Sequence, residues 1–268
     1  MTARLAPLFQ ACRAEQRAAL IGYLPAGYPT VAASRTLLLA MLDSGCDLVE
    51  VGVPYSDPVL DGPTIQAAAD TALRGGVRMR GVLSVVESIA SSGGRAVVMT
   101  YWNPVHRYGV DAFARDLAAA GGLGVITPDL IPDEAQEWLA AAAAHDLDRI
   151  FLVAPSSTDQ RLIATAAMTR GFLYASSLMG VTGARDVVSS AAATLVARIR
   201  EHVPGLPVGV GLGVRDGTQA AEVASFADAV IVGSAFVSAV AQGESGVRAL
   251  AGELAQGVRR HATQPLAP

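Results

Sequence analysis

The sequence predicts an α/β fold: a (β/α)8 TIM barrel with an extra N-terminal helix. Eight short runs rich in Val, Ile, Leu and Ala alternate with longer amphipathic stretches, the rhythm of a parallel barrel wrapped by helices. The 268 residues suit one large barrel. The chain is 51% hydrophobic but only 5% aromatic, so its core is aliphatic and Ala-rich. An open doubly wound sheet is the alternative reading of the same alternation.

Each element has its own warrant. Ala3–Glu15 precedes the first strand and is placed as a helix plugging the barrel bottom. The strands are assigned to Ala19–Leu24, Asp47–Val51, Ala96–Tyr101, Gly124–Thr127, Arg149–Val153, Gly171–Ser176, Pro207–Val210 and Ala229–Val232. Their β-branched content and continuous apolar character suit strands covered on both faces. The intervening helices are assigned to Val31–Ser44, Thr64–Arg74 with Val82–Ser91, Asp111–Ala120, Asp133–His145, Thr158–Thr169, Ser189–His202, Arg215–Ala224 and Ser245–His261. Pro132-Asp133-Glu134 supplies an acidic first turn. Thr158 is an N-cap candidate. Val203-Pro204-Gly205 stops the preceding helix. Residues 262–268 read as a frayed tail. No linker or composition break divides the chain, so residues 1–268 are taken as one domain.

Composition excludes several classes. The formal net charge is −4 and no basic stripe is present, which argues against nucleic acid. No apolar run is long enough to span a bilayer, and the N-terminus lacks a signal peptide's apolar core, so a cytoplasmic protein is expected. Cys12 and Cys46 lie among small apolar residues and read as packing thiols. His106, His145, His202 and His261 are scattered, and no metal site is expected. The chain contains no lysine. Neither Schiff-base catalysis nor covalent attachment of pyridoxal phosphate is open to it, since both need a lysine amine.

One acid interrupts an apolar strand. In Leu48-Val49-Glu50-Val51-Gly52-Val53, the valines form one face, and Leu48, Glu50 and Gly52 the other. A charge in a buried strand is costly unless paired or used. Glu50 is therefore a structural acid with buried partners, an exposed residue on an edge strand, or a catalytic group. Asp61-Gly62, in the following loop, reads by itself as a turn. In a barrel both would lie near the C-terminal strand ends, where active sites gather. Gly180-Val181-Thr182-Gly183, Gly211-Leu212-Gly213 and Gly233-Ser234 each follow a late strand. Jointly they suggest a phosphate cradle of backbone N–H groups.

The chain resembles the tryptophan synthase alpha subunit family. The signature is Glu50-Val51-Gly52-Val53-Pro54-Tyr55-Ser56-Asp57-Pro58 with Asp61-Gly62-Pro63-Thr64-Ile65-Gln66. Tyr23-Leu24-Pro25-Ala26-Gly27-Tyr28-Pro29, Tyr101-Trp102-Asn103-Pro104, Pro128-Asp129-Leu130, Ala154-Pro155-Ser156-Ser157-Thr158 and Gly180 to Arg185 follow in the family's order. The resemblance implies retro-aldol cleavage of indole-3-glycerol phosphate to indole and glyceraldehyde 3-phosphate, without metal or Schiff base. It implies Glu50 as the acid–base group, Asp61 as acceptor for the indole N1–H, and Tyr174 as a catalytic-site tyrosine. Tyr23, Ile65, Met99, Tyr101, Asp129 and Thr182 would contact the substrate. Gly183, Gly213, Gly233 and Ser234 would hold its phosphate. Pro54, Ser56, Asp57 and Pro58 would face a beta subunit in an αββα assembly. That partner would carry the pyridoxal phosphate and receive the indole, this chain carrying no cofactor.

Two departures accompany the resemblance. Leu178-Met179 stand where the family is more polar, and the turn at Asp129-Leu130-Ile131-Pro132 is one residue longer than the common form. A stand-alone lyase and a non-catalytic phosphate-binding regulatory barrel remain the alternative functions.

Overall fold

The computed structural model describes residues 2–176 and 185–259. Helix α1 (Ala6–Ala14) leads into strand β1 (Ala19–Pro25), α2 (Val31–Asp43), β2 (Leu48–Gly52), α3 (Pro63–Arg74) and α4 (Met79–Ser91). Next come β3 (Ala96–Met99), α5 (Trp102–Tyr108), α6 (Val110–Ala119), β4 (Gly124–Ile126) and α7 (Gln136–Ala144). Strands β5 (Asp148–Ile150) and β6 (Leu152–Val153) precede α8 (Asp159–Met168), β7 (Leu173–Ser176) and α9 (Arg185–His202). The chain then forms β8 (Val208–Gly211), α10 (Gly217–Ala224), β9 (Ala229–Val232), α11 (Ser234–Ala239) and α12 (Gly243–Arg259).

The sheet runs β5-β4-β3-β2-β1-β9-β8-β7-β6 with every pairing parallel. The sequence predicts a single fifth strand, and the structure breaks it at Phe151 into β5 and β6. β5 pairs with β4, while β6 pairs with β7. One residue thus separates the two ends of the sheet, and the eight predicted strand positions form a barrel. Strand three ends two residues earlier than the sequence suggests, and Tyr101 already stands at the N-cap position of α5. Helices α5 and α11 are additions the periodicity does not reveal, at seven and six residues each. The acidic turn Pro132–Glu134 forms a short 3-10 helix ahead of α7. The Thr158 hydroxyl caps α8 by accepting from Arg161 N–H at 3.3 Å.

Two packing layers follow from strand alternation. Val49 and Val51 join the large cluster between sheet and helices. Leu48 joins the barrel interior with Ala19, Ile21, Val97, Ile126, Ile150, Phe172, Ala229 and Ile231. Helix α1 closes this interior from below through Leu5, Leu8, Phe9 and Cys12, and the Phe9 and Phe172 rings lie 5.8 Å apart. The plug is held by Asp148, whose buried carboxylate accepts from Arg4 N–H at 3.0 Å and Leu5 N–H at 2.8 Å. Arg170 Nε lies 3.0 Å from the same carboxylate. Asp47 is likewise engaged near the barrel floor, by Arg17 at 2.8 and 2.9 Å and by Leu20 N–H at 2.8 Å.

Candidate active site

Glu50 is the inward residue of β2 nearest its C-terminal end, apart from Gly52. It is 1% exposed, and its Oε1 has no hydrogen-bond partner among the described residues. Asp148 provides the contrast. Both acids sit on strands in the barrel, but Asp148 is tied to two backbone N–H groups and an arginine. A buried acid left without a partner favours its neutral form. Burial accordingly pushes the Glu50 carboxyl up to about 8. Its protonated form therefore predominates at neutral pH, which suits a general acid.

Asp61 enters the same mouth from the loop after β2. Burial raises its carboxyl pKa, and the Tyr101 hydroxyl acts in the opposite direction through a hydrogen bond. That hydroxyl also accepts from Leu60 N–H at 2.9 Å, so Tyr101 grips the loop on both sides of the Leu60–Asp61 peptide. Burial pushes the Tyr101 phenol itself up to about 12. Tyr55 stacks at a tilt on Tyr101 with centroids 5.3 Å apart, and Asn103 Nδ2 donates to Tyr55 Oη at 3.1 Å. Gln66 Nε2 donates to the Asp61 carbonyl at 2.8 Å. Gln66 belongs to the motif, but its clamp on the loop is visible only in three dimensions.

A buried tyrosine, Tyr23, and a half-buried one, Tyr174, complete the layer above the core. Burial, with the charges of Glu50 and Asp61, holds both Tyr23 and Tyr174 phenols well above their ordinary value. Both therefore remain neutral hydrogen-bonding groups. Each leans over an inward glycine of a neighbouring strand. A Cβ on Gly52 would stand 2.5 Å from Tyr23 Oη, and one on Gly211 2.6 Å from Tyr174 Oη. Sequence patterning marks neither glycine for this role, because the close approach exists only after strand pairing.

The remaining predicted residues distribute as follows. Met99 packs at the boundary of the barrel interior and the outer core. Gly233 ends β9, and a Cβ there would lie 3.5 Å from Tyr23 Cδ1 and 3.6 Å from Ile65 Cδ1. Ser234 opens α11. Gly213, after β8, adopts a left-handed φ of +66° with open space where a side chain would be, a conformation that favours glycine. β8 and β9 are adjacent, so Gly213, Gly233 and Ser234 gather at one sector of the mouth. The Asp129 carboxylate accepts from Trp102 N–H at 2.9 and 3.1 Å and so also caps α5. Thr182 and Gly183, with Leu178-Met179, lie outside the described residues. Pro54 is buried, Ser56 and Asp57 are exposed, and Pro58 is half-buried. Beside them, Val59 is 78% and Leu60 49% exposed. Among the described residues, no group of three potential metal-ligating side chains occurs, and no helix is long and apolar enough to cross a membrane.

A parallel barrel with a buried acid, a second carboxylate and a glycine sector at its C-terminal mouth has the layout of an α/β-barrel enzyme. The sequence profile of the tryptophan synthase alpha chain family matches residues 9–264. The chain belongs to that family. It is similar to the tryptophan synthase alpha chain of Nocardia farcinica, at 69% identity over 256 residues and 96% of each chain. The Mycobacterium tuberculosis alpha chain is 68% identical over 256 residues, covering 96% of this chain and 94% of that one. A solved structure of Mycobacterium tuberculosis tryptophan synthase superposes with a TM-score of 0.93 at 66% identity, covering 97% of this chain and 99% of its counterpart.

Proposed function

We propose that this chain cleaves indole-3-glycerol phosphate to indole and glyceraldehyde 3-phosphate and passes the indole to a tryptophan synthase beta subunit. The observation that carries the residue assignment is Glu50, a buried acid on the inward face of β2 whose Oε1 has no partner among the described residues. Glu50 gives its proton to indole C3. The ring becomes an indolenine cation whose N1–H donates to Asp61. A base then removes the proton of the side-chain hydroxyl beside the breaking bond. The electrons of that O–H bond form the aldehyde C=O. Those of the carbon–carbon bond return to the ring and restore indole. Glu50, now ionised, is the base for this second step, so the proton count closes on one residue.

Asp61 serves as the fixed counter-charge, positioned by Tyr101 and Gln66. Tyr174 lines the reacting centre, with Tyr23, Ile65, Met99, Tyr101 and Asp129 around the indole and Thr182 as a further substrate contact. Backbone N–H groups at Gly183, Gly213, Gly233 and Ser234 hold the phosphate. This chemistry needs no cofactor in this chain; the pyridoxal phosphate belongs to the beta partner. The loop carrying Pro54, Ser56, Asp57 and Pro58 is assigned to that partner in an αββα assembly, a reading supported by the exposed Val59 and Leu60. The reading places the enzyme in the cytoplasm.

The test is indole release by the wild type and by Glu50→Gln, each with and without the beta subunit. Glu50→Gln is expected to abolish release while still binding glycerol phosphate. Substantial activity in that variant would overturn the acid–base assignment.

A further inference from the structure

Tyr23 and Glu50 occupy paired positions on adjacent strands β1 and β2, whose backbones in any sheet are about 4.8 Å apart. Tyr23 belongs to the same inward row as Ala19 and Ile21, and its hydroxyl leans across to β2. It lies over Gly52, the next inward position after Glu50, where an added Cβ would meet Tyr23 Oη at 2.5 Å. The phenol oxygen is thus on the mouth side of Glu50, on Glu50's own strand. Tyr174 Oη instead lies over Gly211 of β8, and β8 is separated from β2 by β9 and β1. Both phenols feel the charge of Glu50, but only Tyr23 stands on the strand paired with the acid's own.

We infer that the Tyr23 hydroxyl is a positioning residue for Glu50: it donates to the carboxylate that forms when Glu50 has released its proton, and so stabilises the ionised half of the cycle. The inference rests on the acid–base reading of Glu50 above and adds a residue to it. Three features carry it. Glu50 Oε1 is a buried acceptor with no partner among the described residues, so its carboxylate form needs a donor. The absent Cβ at Gly52 is the space the phenol uses. The phenol keeps its proton, since burial and the carboxylates of Asp61 and Glu50 disfavour its ionisation. The titratable groups acting on these phenols are Glu50 on β2, Asp61 after β2, Tyr101 after β3 and Tyr174 on β7. None of them is a cation, so among the described residues these phenols are the neutral O–H donors near the acid.

The experiment compares Tyr23→Phe with wild type and Glu50→Gln in the holoenzyme with the beta subunit, across pH. Phe keeps the ring that packs beside Gly233 and removes only the donor. A hydrogen bond to a charged group corresponds to a loss of about 10- to 100-fold in kcat, with KM little changed. The basic limb of the pH profile moves to higher pH, because loss of a donor to the ionised form favours the protonated one. A second readout needs no turnover: the Glu50 carboxyl, followed by carbon-13 NMR in the folded protein, titrates at higher pH in Tyr23→Phe. Wild-type kcat with an unmoved limb, or an unmoved Glu50 titration, overturns the inference. If Glu50→Gln itself retains activity, the acid–base reading fails instead. An inactive Glu50→Gln beside a wild-type-like Tyr23→Phe sinks only the role of Tyr23.

Discussion

Replacing Glu50 by Gln should stabilise the protein, and by an amount that grows with pH. The carboxyl titrates at about 8 in the fold against an ordinary value of 4.5. Between those values the folded state holds a proton that the unfolded chain has released. Stability therefore falls as pH rises through this window: it is fully present below 4.5 and lost progressively up to about 8. The difference of roughly 3.5 pH units at 1.36 kcal/mol each gives an order of 5 kcal/mol across the window. Gln has nearly the same shape and no proton to lose, so the variant lacks this slope. Urea denaturation of both proteins at half-unit steps from pH 4.5 to 9 checks it. The two stabilities should lie close together at pH 4.5, with the variant several kcal/mol ahead at pH 8.5. Parallel curves over the whole range would refute the claim that burial disfavours the ionised form of Glu50. The same titration gives kcat/KM a basic limb near pH 8, since the first step needs the protonated acid.

Two further outcomes follow from the geometry. Asp148→Ala removes the acceptor for Arg4 and Leu5 N–H and the ion partner of Arg170; breaking such a buried pair costs about 3–5 kcal/mol, read as a drop in the urea midpoint, with kcat of the folded protein retained. Tyr101→Phe removes both the anchor of Leu60 N–H and the hydrogen bond that lowers the Asp61 pKa. Its acidic limb should move to higher pH and kcat fall about tenfold, and limited proteolysis should cut the loop at residues 53–62 faster than in wild type.

The strand alternation in Leu48-Val49-Glu50-Val51-Gly52 is legible because two-residue periodicity is local: it separates inward from outward residues before any partner is known. The βα rhythm is legible for the same reason, and so are the cap at Thr158 and the stop at Pro204. The split at Phe151 is not, because it depends on which strands flank the fifth, β4 on one side and β7 on the other. Helix α5 escapes a reading of the sequence because its cap comes from Asp129, 27 residues away. No short window along the chain contains both ends of that interaction.

The site divides along the same line. Residue type and spacing are enough to establish that an acid stands on the interior face of a strand, that lysine chemistry is closed to the chain, and that glycines gather after the late strands. They leave Glu50 open between structural and catalytic roles, because that choice depends on what surrounds the carboxylate. Asp148 shows the structural outcome on another strand of the same barrel, where two N–H groups and Arg170 meet the acid. The folded barrel was needed to establish that Glu50 Oε1 meets no such partner, that Tyr101 aims Asp61, and that Tyr23 reaches over Gly52. Desolvation and hydrogen bonding are set by atoms distant in the chain, so they come into being only when the barrel closes.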